Sequence, residues 1–121
     1  MYCRLAAMLF AATAMLPAFA DDEPKPEVMH CAKMAQALKG GSFDKFGVKL
    51  KRYRSVAGTI RVNLTYAGID SDGAGHTGSF ECRFRSSEVR NGHIEAATVF
   101  VDRGRMTKEA VAKYNGIAAA E

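Results

Sequence analysis

Three groups of residues in this 121-residue chain are of a type and spacing that could carry chemistry: an acidic loop with a histidine, a set of cations at alternating positions, and two cysteines. The loop is Asp70-Ser71-Asp72-Gly73-Ala74-Gly75-His76. Taken with Glu81 it partly follows a calcium-binding loop, with oxygen ligands at positions 1, 3 and 12 and glycine at 6. Ala74 stands at position 5, where a ligand oxygen is needed, and the flanking residues alternate as strands do. The spacing therefore reads as a turn rich in Asp and Gly. Asp70, Asp72 and Glu81 are the only candidate metal ligands, and no metal or cofactor is expected.

His76 with Asp70 or Asp72 could also do acid and base work, and His30 and His93 complete the histidine inventory. Nothing in their spacing brings them together. There is no G-x-S-x-G nucleophile elbow and no phosphate-cradling glycine loop leading into a helix. No catalytic residue is assigned on this basis.

The cations are less evenly spread. Lys49, Lys51, Arg52 and Arg54 crowd one segment, and Arg61, Arg83 and Arg85 take the outward positions of two alternating runs. If those runs are neighbouring strands, one solvent face of a sheet carries as many as seven cations, offset in part by Glu81. Such a face either keeps a sheet soluble and shielded from edge pairing or docks an acidic partner. These seven residues are the candidate binding surface.

The cysteines bear on location. Met1 to Ala20 has one cation, Arg4, then an apolar run from Leu5 to Leu16, and ends Ala18-Phe19-Ala20 before Asp21-Asp22-Glu23. This is the layout of a cleavable secretory signal, too short in its apolar run to span a bilayer. Cys3 would leave with it. Cys31 and Cys82 would then stand in an oxidising compartment, the bacterial periplasm or the medium, and are expected to form one disulfide. Neither a C-x-x-C redox spacing nor a full set of metal ligands accompanies them.

The elements that must position these residues follow from periodicity. Residues 21–26 form a charged, proline-bearing lead, expected to be mobile, and residues 27–121 one small domain. From Val28 the apolar positions Val28, Cys31, Met34/Ala35 and Leu38 form a helical stripe, with Pro26 and Glu27 suited to its first turn and Gly40-Gly41 to its stop. Val48 and Leu50 then alternate with lysines. Ile60, Val62, Leu64 and Tyr66 alternate with polar residues, and so do Phe80, Cys82 and Phe84. Cys31 and Cys82 thus lie on the apolar side of a helix and of a strand.

Asn91-Gly92 is the strongest tight-hairpin dipeptide in the chain, and a two-residue loop there pairs Phe84 with Val99 and Cys82 with Val101. That register leaves Val89 and Ile94 on the opposite face, which requires a bulge near Ser86-Ser87 or an outward twist of the tip. Thr107 can cap a last helix with Val111, Tyr114 and Ala118 on its apolar side. The resulting expectation is an α+β fold with a three- or four-stranded antiparallel sheet. The N-terminal helix and the C-terminal helix pack on one of its faces.

Composition narrows the function further. Lys and Arg number 17 against 13 Asp and Glu, a net charge of +4, and losing Arg4 with the signal leaves 16 against 13, or +3. That balance is too mild to indicate nucleic acid. The first expectation is an exported, non-enzymatic binding or inhibitor-type module whose partner is an acidic envelope protein or an anionic envelope polymer. The second is a small hydrolase or metal-dependent enzyme centred on His76 and the Asp70/Asp72 loop.

Overall fold

The structure is a computed structural model and describes residues 25–120. The expected signal segment and most of the lead lie outside the described residues. Pro26 opens α1 (Pro26–Lys39) at the one turn where a missing N–H costs nothing, and Glu27 sits in that first turn. The helix runs into a 3-10 turn at Gly40–Ser42. There follow β1 (Lys45–Val56), β2 (Thr59–Ile69), β3 (Gly75–Arg85), a short α2 (Ser86–Arg90), β4 (Thr98–Val101), β5 (Gly104–Arg105) and α3 (Lys108–Ala120).

The strands form an antiparallel meander in the order β1-β2-β3-β4-β5. The sheet therefore has five strands where three or four were expected. The difference lies at the C-terminal end. Asp102 and Arg103 both adopt positive φ (51° and 72°), closing β4 onto the two-residue β5. Asp-Arg is not a usual pair for such a turn, so the sequence carries little sign of it. Ala57 and Gly58 turn β1 into β2 in the same way, at φ 52° and 81°.

The tight hairpin at Asn91-Gly92 is not formed. The five residues of α2 intervene, Gly92 (φ 83°) follows them, and the segment returns through Ala96 before β4 begins. Cys82 consequently pairs with Val99 and Phe80 with Val101, two residues away from the expected register. A shift of two preserves which side chains face inward. Val89 and Ile94 both pack against the core, so neither a bulge nor an outward twist is needed.

One face of the sheet is apolar. Ile60, Val62 and Leu64 of β2, Phe80, Cys82 and Phe84 of β3, and Val99 of β4 are buried there against Val28, Cys31, Met34 and Ala35 of α1. Fully burying a side chain such as Phe80, Phe84 or Leu64 contributes about 1.5–3 kcal/mol. Helix α1 touches β1, β2 and β3, whereas α3 lies along α1 and reaches the sheet at β4. The second helix therefore completes the helical layer from the side instead of sharing the sheet equally. Thr107 caps it as expected, its Oγ1 accepting the Ala110 N–H at 3.1 Å.

The helix stripe and the sheet face meet at sulfur. Cys31 and Cys82 form a disulfide with their Cα atoms 5.9 Å apart, and both residues are fully buried.

Candidate functional site

The opposite face of the sheet is where the cations gather, and strand register places each of them. Residues paired directly across antiparallel strands share a face, so the outer face can be read as rows. Arg54 stands opposite Arg61, Arg61 opposite Arg83, and Arg83 opposite Thr98. The next row is Arg52, Asn63, Glu81, Phe100 and Arg105, and the one after it Lys49, Thr65 and Ser79. Arg85 extends the set toward the β1–β2 turn, opposite Thr59.

Lys51 falls at an irregularity between Leu50 and Arg52, where the register shifts by one residue. A bulge of this kind lets two residues, here Leu50 and Lys51, stand between two outward cations where regular alternation allows one, and it is why Lys49 and Arg52 both face out. Lys51 joins them, bordering an open recess of about 340 Å³ together with Asn63, Glu81, Arg83, Phe100 and Arg103. All seven cations singled out in the sequence thus belong to one side of the sheet.

Arg103, Arg105 and Phe100 were missed. The first two depend on the unforeseen β4–β5 turn, and Phe100 on alternation within a strand of only four residues. The alternation in Thr98-Val99-Phe100-Val101 could have flagged Phe100 as outward-facing.

Compensation on this face is sparse. Glu81 accepts from Arg83 Nε at 2.5 Å, and the Arg83 guanidinium lies over the Phe100 ring at 4.5 Å from its centroid. Arg85 pairs with Glu88 at 3.6 Å. Among the described residues, Lys49, Lys51, Arg52, Arg54, Arg61, Arg103 and Arg105 have no ion-pair partner. Neighbouring strands are about 4.8 Å apart and successive rows about 6.6 Å, both inside a Debye length of about 8 Å at physiological salt, so the charges within and between rows act together on an approaching ion.

The acidic loop is organised around Asp70. Its Oδ1 accepts the N–H groups of Asp72 and Ala74 at 2.9 and 3.0 Å, and its Oδ2 lies 2.8 Å from His76 Nε2. The hydrogen bond to His76 and those from the loop backbone hold the Asp70 carboxyl below its ordinary pKa. Glu81 is six residues along β3 from Gly75, about 20 Å at strand rise, and it is held by Arg83 instead. Asp72 gives the loop its backbone N–H and stays exposed. Among the described residues no group of three or more His, Cys, Asp or Glu side chains is placed to hold a metal ion.

The other histidines lie elsewhere. His93 Nε2 is 3.1 Å from Glu95 on the surface. His30 is buried between α1 and α3, where its Nε2 meets Asn115 Oδ1 at 2.8 Å. His30 and His93 border one open recess with Glu95 and Met29, and His76 does not take part in it.

No family model, no curated protein and no solved structure matches this chain. No helix among the described residues is long and apolar enough to cross a membrane.

Proposed function

We propose that this protein is an exported, non-enzymatic binding module that docks an acidic envelope protein or anionic envelope polymer on the outer face of its sheet. The observation that carries the reading is the row Arg54, Arg61 and Arg83, three guanidiniums directly opposite one another on adjacent strands, of which, among the described residues, only Arg83 has an ion-pair partner, Glu81. Like charges in directly opposite positions destabilise a sheet. An arrangement that costs stability in the free protein and is relieved by an anion supports a binding role. The disulfide supports export, because such bonds persist in oxidising compartments.

The test is titration with poly-L-glutamate at low and at physiological ionic strength. The double variant Arg54→Glu/Arg61→Glu should weaken binding far more than Lys108→Glu/Lys113→Glu on α3, which changes net charge equally. Equal losses from the two variants would reduce the face to net charge alone.

A second reading has one observation behind it, the 2.8 Å contact between His76 and Asp70. A histidine oriented by a carboxylate is the acid–base half of a hydrolytic or metal-assisted site. Against it, Asp70 Oδ1 is already occupied by two backbone donors. The reading requires that His76→Ala abolish a hydrolytic activity toward activated esters, or that a divalent cation raise the melting temperature.

A further inference from the structure

We infer that the free edge of β1 receives an extended acidic strand of the partner, which adds to the sheet as a sixth strand. The inference rests on the basic face being a docking surface and names how the partner engages it. β1 runs for 12 residues and pairs on one side only, with β2. Among the described residues no other backbone segment hydrogen-bonds to it. The opposite edge of the sheet is the two-residue β5, too short to template a strand.

An unpaired edge offers alternate N–H and C=O groups to any extended chain, and side chains on either side of the backbone then decide which chain is accepted. Here the selection is strong. On the outer side β1 exposes Lys45, Lys49, Lys51, Arg52 and Arg54, and it contains no acid. On the inner side Phe46, Val48, Leu50 and Tyr53 are only partly covered; the last three border the core, and Phe46 packs on the Phe43 and Tyr66 rings. A second copy of β1 is refused, because in either direction it sets cations against cations. A strand with carboxylates at every other position and β-branched or apolar residues between them satisfies both sides.

The probe is the synthetic peptide Thr-Glu-Val-Glu-Thr-Glu-Val-Glu-Thr, titrated into the folded, disulfide-bonded protein. Two forms are compared with it, one N-methylated at every Glu and one at every Val and internal Thr. In strand addition only one parity of peptide amides faces β1. One methylated form should therefore lose affinity by at least about tenfold while the other stays within about twofold of the parent. Hydrogen exchange in the parent complex should slow at alternate β1 amides. Equal affinity of the two methylated forms, whether retained or lost together, overturns the inference, as does a parent peptide that does not bind. Poly-L-glutamate separates the levels: if it still binds, the basic face stands without the edge, and if it does not, the face itself is gone.

Discussion

Arg61 on β2 and Arg83 on β3 stand directly opposite each other, and Arg54 on β1 stands opposite Arg61 in turn. Arg83 has Glu81 and the Phe100 ring to hold its charge, and among the described residues Arg61 has no ion-pair partner. Removing the central charge should therefore help the free fold. Arg61→Gln is expected to raise stability by about 0.5 kcal/mol, within the range for cross-strand pairs, and to weaken poly-L-glutamate binding at low salt. Urea unfolding and titration on the same variant check the two halves. A face kept only for solubility would lose neither stability nor binding by this change, and a loss of stability would show that the row is not strained.

The disulfide closes a loop with a sequence separation of 51 residues. On chain-entropy grounds such a closure restricts the unfolded chain by about 4 kcal/mol, out of the roughly 5–15 kcal/mol that holds a small domain. The double variant Cys31→Ala/Cys82→Ala should lose about 2–5 kcal/mol in denaturant unfolding, cavity terms included. Reduction of the native protein should produce a comparable fall. A fall of less than 1 kcal/mol would mean that the helix stays docked on the sheet through packing alone.

The reach of the sequence was decided by how local each signal is. Period-two alternation placed β2 and β3, and with them the outward positions of Arg61, Arg83 and Arg85, because alternation is a property of consecutive residues. The pairing of Cys31 with Cys82 followed from their being the two cysteines left after the expected export signal, and their shared inward side from a helical stripe and an alternating strand. The register of β4 had no such source, since it depends on α2, a five-residue helix at Ser86–Arg90 with no sequence cue stronger than the Asn91-Gly92 that follows it. Arg103 and Arg105 entered the basic face through the Asp102-Arg103 turn, whose positive φ angles are imposed by tertiary contacts: Asp102 Oδ1 and Oδ2 are held by the Ser79 N–H and the Tyr66 hydroxyl. The pairing of His30 with Asn115 spans 85 residues and was beyond any local pattern.

That last pair gives a test of the helical layer. Asn115 Nδ2 donates to the Ala96 carbonyl and Oδ1 accepts the Ala96 N–H, both at 2.9 Å, which fixes the orientation of the amide. Oδ1 is then an acceptor toward His30 as well, so the His30 Nε2 carries the proton. One buried side chain thus satisfies a histidine on α1 and both backbone groups of Ala96. Asn115→Leu leaves all three groups without their partner and is expected to cost about 2–4 kcal/mol in urea unfolding. A change below about 1 kcal/mol would mean that water takes over these bonds at little cost.

Two tyrosines and two aspartates give stability a dependence on pH whose sign can be stated at each end. Burial, then the hydrogen bond and charge of Glu27, raise the pKa of Tyr53 from 10.0 to about 12, and burial with Asp102 does the same for Tyr66. A neutral acid whose folded pKa is raised contributes stability that is complete below the unfolded value and lost as pH rises through the folded one. The protein should therefore lose stability between pH 10 and about 12. At the acid end the signs reverse. Burial alone would raise the Asp102 carboxyl, but hydrogen bonds from Tyr66 and Ser79 and the Lys39 ammonium bring it below its ordinary value, and the His76 and backbone bonds do so for Asp70. Their contribution is present above the usual carboxylate range and disappears as pH falls through the folded values. Tyr53→Phe isolates one limb: it removes the donor to the buried Glu27 carboxyl, costing about 1–3 kcal/mol at neutral pH, and should flatten the alkaline decline while leaving the acid limb unchanged. Melting temperatures of the two proteins from pH 2 to 12 read both effects, and an alkaline limb as steep in the variant as in the parent would remove Tyr53 from the account.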